Sequence, residues 1–162
     1  SLAGQLYGLP VTNVARIIEM VALTYLPGAP ETIVGLLNVQ GKDVPVIDLR
    51  LRFGLPRQPY SLQTPIIIIN LADTGRTLAL IVDSVEQVVE IPSHQLAPTA
   101  AIIPAEMAAP AAFLTGVATI EQKLILALNI TEILTLKEHN ILLQALGNHD
   151  EIQQQADRRA ES

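Results

Sequence analysis

The 162-residue chain contains no cysteine and no tryptophan, and its aromatic residues are limited to two Phe and three Tyr. The lack of cysteine excludes a disulfide framework and any thiolate or zinc-thiolate chemistry. Because aromatic side chains are so few, the core has to be built from Ile, Leu, Val and Ala. These residue types supply most of the hydrophobic 49% of the chain.

Basic residues are also few, with 10 Lys and Arg against 16 Asp and Glu, which gives a formal net charge of −6. The basic side chains are scattered along the sequence. A surface that binds nucleic acid needs clustered Lys and Arg, so we expect no nucleic-acid partner.

Long hydrophobic runs are absent. The run 66–69 ends at Asn70 and the run 78–82 ends at Asp83, well short of the ~18 apolar residues that a membrane helix needs. The sequence also lacks the basic segment and apolar core of a secretory signal. We therefore expect a cytoplasmic domain without direct membrane insertion.

Short apolar runs separated by turn residues predict strands over most of the chain. All eleven prolines lie at or before Pro110. We predict a first pair of strands over 6–11 and 14–20, hairpins around 73–76 and 121–123, and a strand over 85–91. Eight to ten strands at this spacing indicate an all-β barrel or sandwich.

The pattern changes to helical spacing beyond Asn129. We predict a C-terminal helix that ends at Gly147 and a frayed polar tail after residue 147.

The most informative stretch is residues 35–49, in which two apolar runs flank Gln40-Gly41-Lys42-Asp43. Gly41 tolerates a positive φ, so this stretch is typical of a tight hairpin. The second run, 44–49, carries apolar side chains of both parities. Such a strand has to be covered on both faces, by its own core and by a second layer or a partner protein.

This stretch resembles the central signature of the CheW family: Gly35, two apolar residues, Asn, an apolar residue, Gln40-Gly41, and then Pro-Val-Ile-Asp-Leu. Four further stretches fit the family pattern in the same order, at 7–18, 25–30, 80–89 and 114–130. The resemblance covers residues 1–136 and implies two small, interleaved five-stranded SH3-like β-barrels packed side by side. A C-terminal helical tail would occupy 137–162.

The resemblance also implies a function. CheW-like proteins are non-catalytic adaptors that couple chemoreceptors to a CheA-type histidine kinase. The implied partners are the regulatory domain of that kinase and the cytoplasmic tip of a chemoreceptor, with no cofactor. The positions that match the family's receptor-contact region, or lie near it, are Val14, Gly35, Val39, Gln40 and Gly41.

Two positions depart from the family pattern, because Gln40 stands where relatives commonly have Arg and Arg16 where they commonly have Glu. Each departure changes the local charge by one unit, in opposite directions. A CheW-like module of another pathway, such as pilus motility or gene control, is therefore an alternative. A further alternative is that the chain is a piece of a larger signalling protein.

One enzyme hypothesis remains as a remote alternative. Asp73-Thr74-Gly75 follows an apolar run and resembles the active-site loop of retroviral-type aspartic proteases, in which two Asp share a proton. The structural alternative is that these are ordinary hairpin residues. Arg76 would lower the pKa that this mechanism needs raised.

Other signals of chemistry are weaker. Gly41-Lys42 has the wrong spacing from Gly35 for a phosphate loop, and we interpret Asp83 as a turn or capping group. His94, His139 and His149 are isolated from one another, so we predict surface positions for them. We predict no catalytic residue and no metal site.

Overall fold

The structure is a computed structural model that describes residues 1–98 and 111–162. Within these residues it contains eight β-strands and two α-helices, together with short 3-10 turns. The strands are β1 Leu6–Gly8, β2 Val14–Glu19, β3 Ile33–Val39, β4 Lys42–Asp48, β5 Pro65–Leu71, β6 Arg76–Ile81, β7 Leu114–Ile120 and β8 Lys123–Leu128, and the helices are α1 Leu49–Arg52 and α2 Leu136–Ala160. The predicted class, mainly β with a C-terminal helix, is confirmed.

Five strands form one sheet in the order β2-β5-β6-β4-β3. The hairpins β3–β4 and β5–β6 are antiparallel, and β4 and β6 run parallel at the centre of the sheet. Both hairpins were predicted from turn residues. The edge strands β2 and β3 pack on one common cluster through Ile18 and Val39, so the sheet curves into a small barrel. We call this barrel the first body.

The remaining three strands form a second sheet in the order β1-β8-β7, which we call the second body. The first two strands predicted from the sequence, over 6–11 and 14–20, are present as β1 and β2. They do not pair with each other, because β1 pairs in parallel with β8 and β2 pairs with β5. The 3-10 turn Val11–Asn13 separates them. It redirects the chain from one sheet to the other, which local strand propensity cannot reveal.

Strand β4 is covered on both faces, as its apolar pattern predicted. Val44 and Val46 belong to a cluster of buried residues from the first body alone, which we call the private core. Ile47 and Leu49 belong to a larger cluster that also contains residues of the second body and of α2, which we call the shared core. The two bodies and the helix are therefore joined by one continuous apolar layer.

Both helices begin with a side-chain cap. The Asp48 carboxylate accepts a hydrogen bond from the Arg50 N–H at 2.9 Å, which caps α1 as expected for this residue type. Thr135 and Glu138 form a reciprocal capping box at the start of α2. The caps fix where the chain leaves β4 and where it leaves the last turn before the C-terminal helix.

The predicted end of the C-terminal helix at Gly147 is wrong, because α2 continues to Ala160. A glycine inside a helix costs only about 1 kcal/mol relative to alanine. The good helix formers that follow, among them Gln153 and Arg158, offset this cost. Every residue from Asp150 onward is exposed, so this part of the helix projects from the body.

The prediction of a strand over 85–91 is wrong: these residues form no strand. Val88 is 79% exposed. A strand needs a neighbour that accepts its backbone hydrogen bonds, and none of the described strands pairs with this segment. Its three valines favour a strand, but no described strand provides the partner that a strand needs.

Candidate partner-binding surface

The β3–β4 turn presents Gln40 and Gly41 to solvent, both exposed and both with positive φ, 52° and 83°. The Gly41 N–H donates to Oδ1 of Asn38 at 3.1 Å. This hydrogen bond closes the turn from its own strand. The amide of Gln40 is therefore carried on a fixed, protruding turn at one end of the first body.

Gly35 lies in β3 and is buried. A Cβ added there would come within 2.9 Å of the Thr24 carbonyl oxygen and 3.0 Å of the Leu23 Cβ. Backbone hydrogen bonds in both directions join Thr24 to Leu36, at 2.7 and 2.9 Å. The chain's own segment 21–24 thus occupies the space beside Gly35 that the missing side chain leaves.

Val14 and Val39 are half-buried and lie on the two edge strands, β2 and β3. Val14 pairs with Ile69 near the end of β5, and Val39 pairs with Lys42 at the start of β4. Followed across β5, β6 and β4, the register places Val14 level with Leu36, next to Gly35, whereas Val39 lies at the Gln40–Gly41 turn. The structure therefore brings Val39, Gln40 and Gly41 to one end of the sheet, while Gly35 and Val14 lie further along it.

The β5–β6 turn lies at the same end of the first body and contains the aspartic-protease-like triplet. Asp73 and Thr74 are exposed, and the Thr74 N–H donates to the Leu71 carbonyl at 3.3 Å. The following residue, Arg76, contacts the ring of His139 on α2. The triplet has the geometry of an ordinary hairpin turn.

Asp83, which we interpreted as a turn or capping group, ties two parts of the chain together as the ion-pair partner of Arg50. Its carboxylate accepts from Nε and Nη2 of Arg50, each at 2.6 Å, and from the Ala3 N–H at 2.8 Å. The hydrogen bond from Arg50 holds the pKa of Asp83 below its ordinary value, although partial burial opposes the shift. Both oxygens of this carboxylate therefore accept hydrogen bonds within the protein.

The three histidines differ from one another. His94 is exposed, as predicted. His139 and His149 are half-buried on α2, where His139 meets Arg76 and His149 lies 3.9 Å from the Asp43 carboxylate. Burial, followed by the charge of Arg76, lowers the pKa of His139 below 6.5. Neither contact could be predicted from the sequence, because each joins the C-terminal helix to a hairpin end of the first body.

A comparison with protein families matches residues 1–138 to the CheW-like domain. The chain belongs to the CheW-like family. Chemotaxis protein CheW of Klebsiella aerogenes is 26% identical over 151 residues, which cover 92% of this chain and 87% of that protein. Chemotaxis protein CheW of Bacillus subtilis is 34% identical over 93 residues, 57% of this chain.

A solved structure shares the fold. The scaffolding protein TtCheW from Thermoanaerobacter tengcongensis aligns with a TM-score of 0.73 and 33% sequence identity, over 85% of this chain and 86% of that one. The resemblance to the CheW family that residues 35–49 had indicated is confirmed, and with it the architecture of two small β-bodies. The projecting half of α2 lies outside the part that matches the family.

The side chain of Arg52 joins several segments of the fold, which could not be recognised from the sequence. Arg52 of α1 donates from Nε to the Ile133 carbonyl at 2.5 Å and lies 3.2 Å from the Glu138 carboxylate. Its guanidinium carbon sits 4.4 Å above the centre of the Phe113 ring. Arg52 thus connects the first body to the segments around the second. The pair Arg50 and Arg52 was visible in the sequence, but their different targets were not.

Proposed function

We propose that this CheW-like chain is a non-catalytic adaptor in a chemotaxis-type signalling pathway, located in the cytoplasm, where it couples chemoreceptors to a CheA-type histidine kinase. The observation that carries the proposal is the match of residues 1–138 to the CheW-like domain. The likeness to a scaffolding protein over 85% of the chain supports it.

The side-chain chemistry of the described residues agrees with a binding role. Within 1–98 and 111–162, no three His, Asp or Glu side chains converge as metal ligands would. No helix in these ranges is long and apolar enough to cross a membrane. The buried carboxylate of Asp48 caps a helix, and Asp73 is an exposed turn residue, which supports a structural role for both.

The partner surface that we propose is centred on the β3–β4 turn and includes Val14, Gly35, Val39, Gln40 and Gly41. The exposed, fixed position of Gln40 and Gly41 supports this assignment. Gly35 acts indirectly in this proposal, because it lets Leu23 and Thr24 lie flat against β3. The partners are the regulatory domain of the kinase, itself CheW-like, and the helical tip of a chemoreceptor.

Gln40 is the residue to test. Arg offers five donors and a fixed charge that suit a carboxylate on a receptor tip, whereas Gln offers two donors and one acceptor. We expect Gln40→Arg to strengthen binding to an acidic receptor tip by about 1 kcal/mol. Binding to the chain's own partner should not improve, because that partner would lack the acidic residue.

The affinities are best measured by titration calorimetry at two salt concentrations, since a charge pair weakens as salt rises. Gln63→Arg is the matched control, because Gln63 is also exposed but lies in the loop before β5. Gln40→Glu adds the opposite charge at the same backbone position. If neither Gln40 variant changes any partner affinity, the binding surface lies elsewhere on the protein.

The enzyme alternative predicts a different result. An adaptor should not cleave a peptide library at pH 4 to 7. A cleavage rate that is present in the native protein and abolished by Asp73→Asn would refute the adaptor proposal.

A further inference from the structure

Residues 56–64 connect α1 to β5 and lie on the surface of the first body, with every residue exposed except Thr64. Two hydrogen bonds attach this segment to the body: Arg50 Nη1 donates to the Pro56 carbonyl at 3.1 Å, and the Tyr60 hydroxyl donates to Asp48 Oδ2 at 2.5 Å. Its other hydrogen bonds join Ser61, Gln63 and Thr64 to one another. Within the described part of the chain, Tyr60 is the only residue of this segment whose own side chain donates a hydrogen bond to the body.

The acceptor is unusual for its burial. Asp48 is 1% exposed and is the one charged residue among the described residues that is fully buried. One carboxylate oxygen accepts from the Arg50 N–H and the other from Tyr60. Because a buried carboxylate that loses a hydrogen bond is costly, Asp48 needs either the Tyr60 hydroxyl or water at that oxygen.

Space for water already exists beside this contact. A pocket of about 280 Å³ lies between the segment and the ends of β4 and β6. Pro59 and Tyr60 of the segment line it, together with Asp48, Arg50 and Asp83 of the body. Since a water molecule occupies about 30 Å³, the pocket can hydrate Asp48 without disturbing either apolar core.

We propose that residues 56–64 form a latched strap over this pocket, closed by the hydrogen bond from Tyr60 to Asp48 and opened as a local unit when that bond breaks. The open strap exposes the Asp48 carboxylate to solvent while the sheets remain folded. Local opening of this kind belongs to segments that bury few apolar side chains. Leu62, two residues after Tyr60, is 76% exposed and belongs to neither core.

The chemistry of the donor favours a closed strap at neutral pH. Burial, and then the hydrogen bond to Asp48, raises the pKa of Tyr60 well above 10. The phenol therefore keeps its proton, and the latch retains its donor. Replacing Tyr60 with Phe removes this proton donor and keeps the ring.

The test is the rate at which a water-soluble carbodiimide and an amine label Asp48, followed by mass spectrometry of peptides from the intact, folded protein. We expect Tyr60→Phe to accelerate labelling of Asp48 about tenfold or more. Tyr25→Phe is the matched control. Because Tyr25 is 76% exposed, this variant should leave the labelling rate of Asp48 unchanged. Labelling of the exposed Asp73 serves as the internal reference.

Hydrogen exchange of the β5 amides, measured on the same samples, reports global unfolding. Labelling of Asp48 that accelerates while β5 exchange stays constant supports the strap. An unchanged rate, or one that rises only together with β5 exchange, overturns it.

The native protein provides a second test that needs no variant. Labelling through a local opening should be nearly independent of low urea concentrations, whereas labelling through global unfolding should rise steeply with urea. A steep dependence at all urea concentrations would also refute the proposal.

Discussion

The two bodies of this CheW-like protein differ in how they are stabilised. The first body buries apolar side chains on both faces of its sheet, in a private core and in the shared core. The second body contributes Val117 and Leu126 to the shared core, and among the described residues it has no apolar cluster of its own. The first body can therefore keep part of its core alone, whereas the second depends on the first body and on α2.

The largest effect is expected from truncation after Leu128. This removes Ile130, Ile133 and Leu142 from the shared core, each of them buried. At about 1.5–3 kcal/mol for each side chain, the loss is comparable to the 5–15 kcal/mol that stabilises a typical domain. Circular dichroism should show no cooperative thermal transition. A cooperative transition near the native midpoint would mean that the second body does not need α2.

A pair of leucine substitutions tests whether the second body depends on the first body more than the first depends on the second. Leu126→Ala in the shared core and Leu37→Ala in the private core should each cost about 2–5 kcal/mol, since both side chains are buried. In Leu126→Ala, the protection of backbone amides against hydrogen exchange should fall mainly in β7 and β8. In Leu37→Ala, it should fall in both sheets. Equal losses in both sheets for both variants would show that the two bodies unfold as one unit.

Arg52 tests the connection between the bodies. Arg52→Met retains most of the apolar stem but leaves the Ile133 carbonyl and the Glu138 carboxylate without this donor. We expect a cost of about 1–3 kcal/mol in urea unfolding. Arg57→Met replaces an exposed arginine and should change stability by less than about 0.5 kcal/mol. Similar effects from both variants would show that the Arg52 contacts contribute little.

The burial of His139, together with the nearby charge of Arg76, makes the stability of the folded protein dependent on pH. The pKa of His139 is lower in the folded protein than its ordinary 6.5, so the unfolded chain binds a proton more readily. This contribution to stability is complete above pH 6.5 and is lost as the pH falls through the folded pKa. Between pH 7.5 and 5, the free energy of unfolding measured in urea should therefore fall less for His139→Gln than for the native protein. His94→Gln, at an exposed position, should behave as the native protein does, and an unchanged pH slope in His139→Gln would contradict the prediction.

The smallest effect is expected at the end of α2. Truncation after Gly147 removes a segment in which Ile152 is 63% exposed and in which His149 makes one partly buried contact with Asp43. The loss should be about 0.5 kcal/mol or less, which shifts the thermal midpoint by roughly 1–2 °C. Unfolding of this variant would place the end of the body beyond residue 147.

Sequence reasoning succeeded where the determining residues are neighbours in the chain. The β3–β4 hairpin and the turn at Asp73–Arg76 each depend on a few consecutive residues. The alternating and double-sided apolar patterns also correctly indicated that β4 is covered on both faces. Turn chemistry and side-chain parity act locally, so the sequence by itself determined these elements and the exposed position of Gln40.

The tertiary structure decided what depends on residues distant in the chain. Strand β1 pairs with β8 across more than 100 residues, and the segment 85–91 remains unpaired by any described strand. Thr24 fills the space over Gly35, and Arg52 reaches Ile133 and Glu138. A local pattern states what a segment can form, but the partner that accepts its hydrogen bonds or covers its apolar face is chosen only when the whole chain packs.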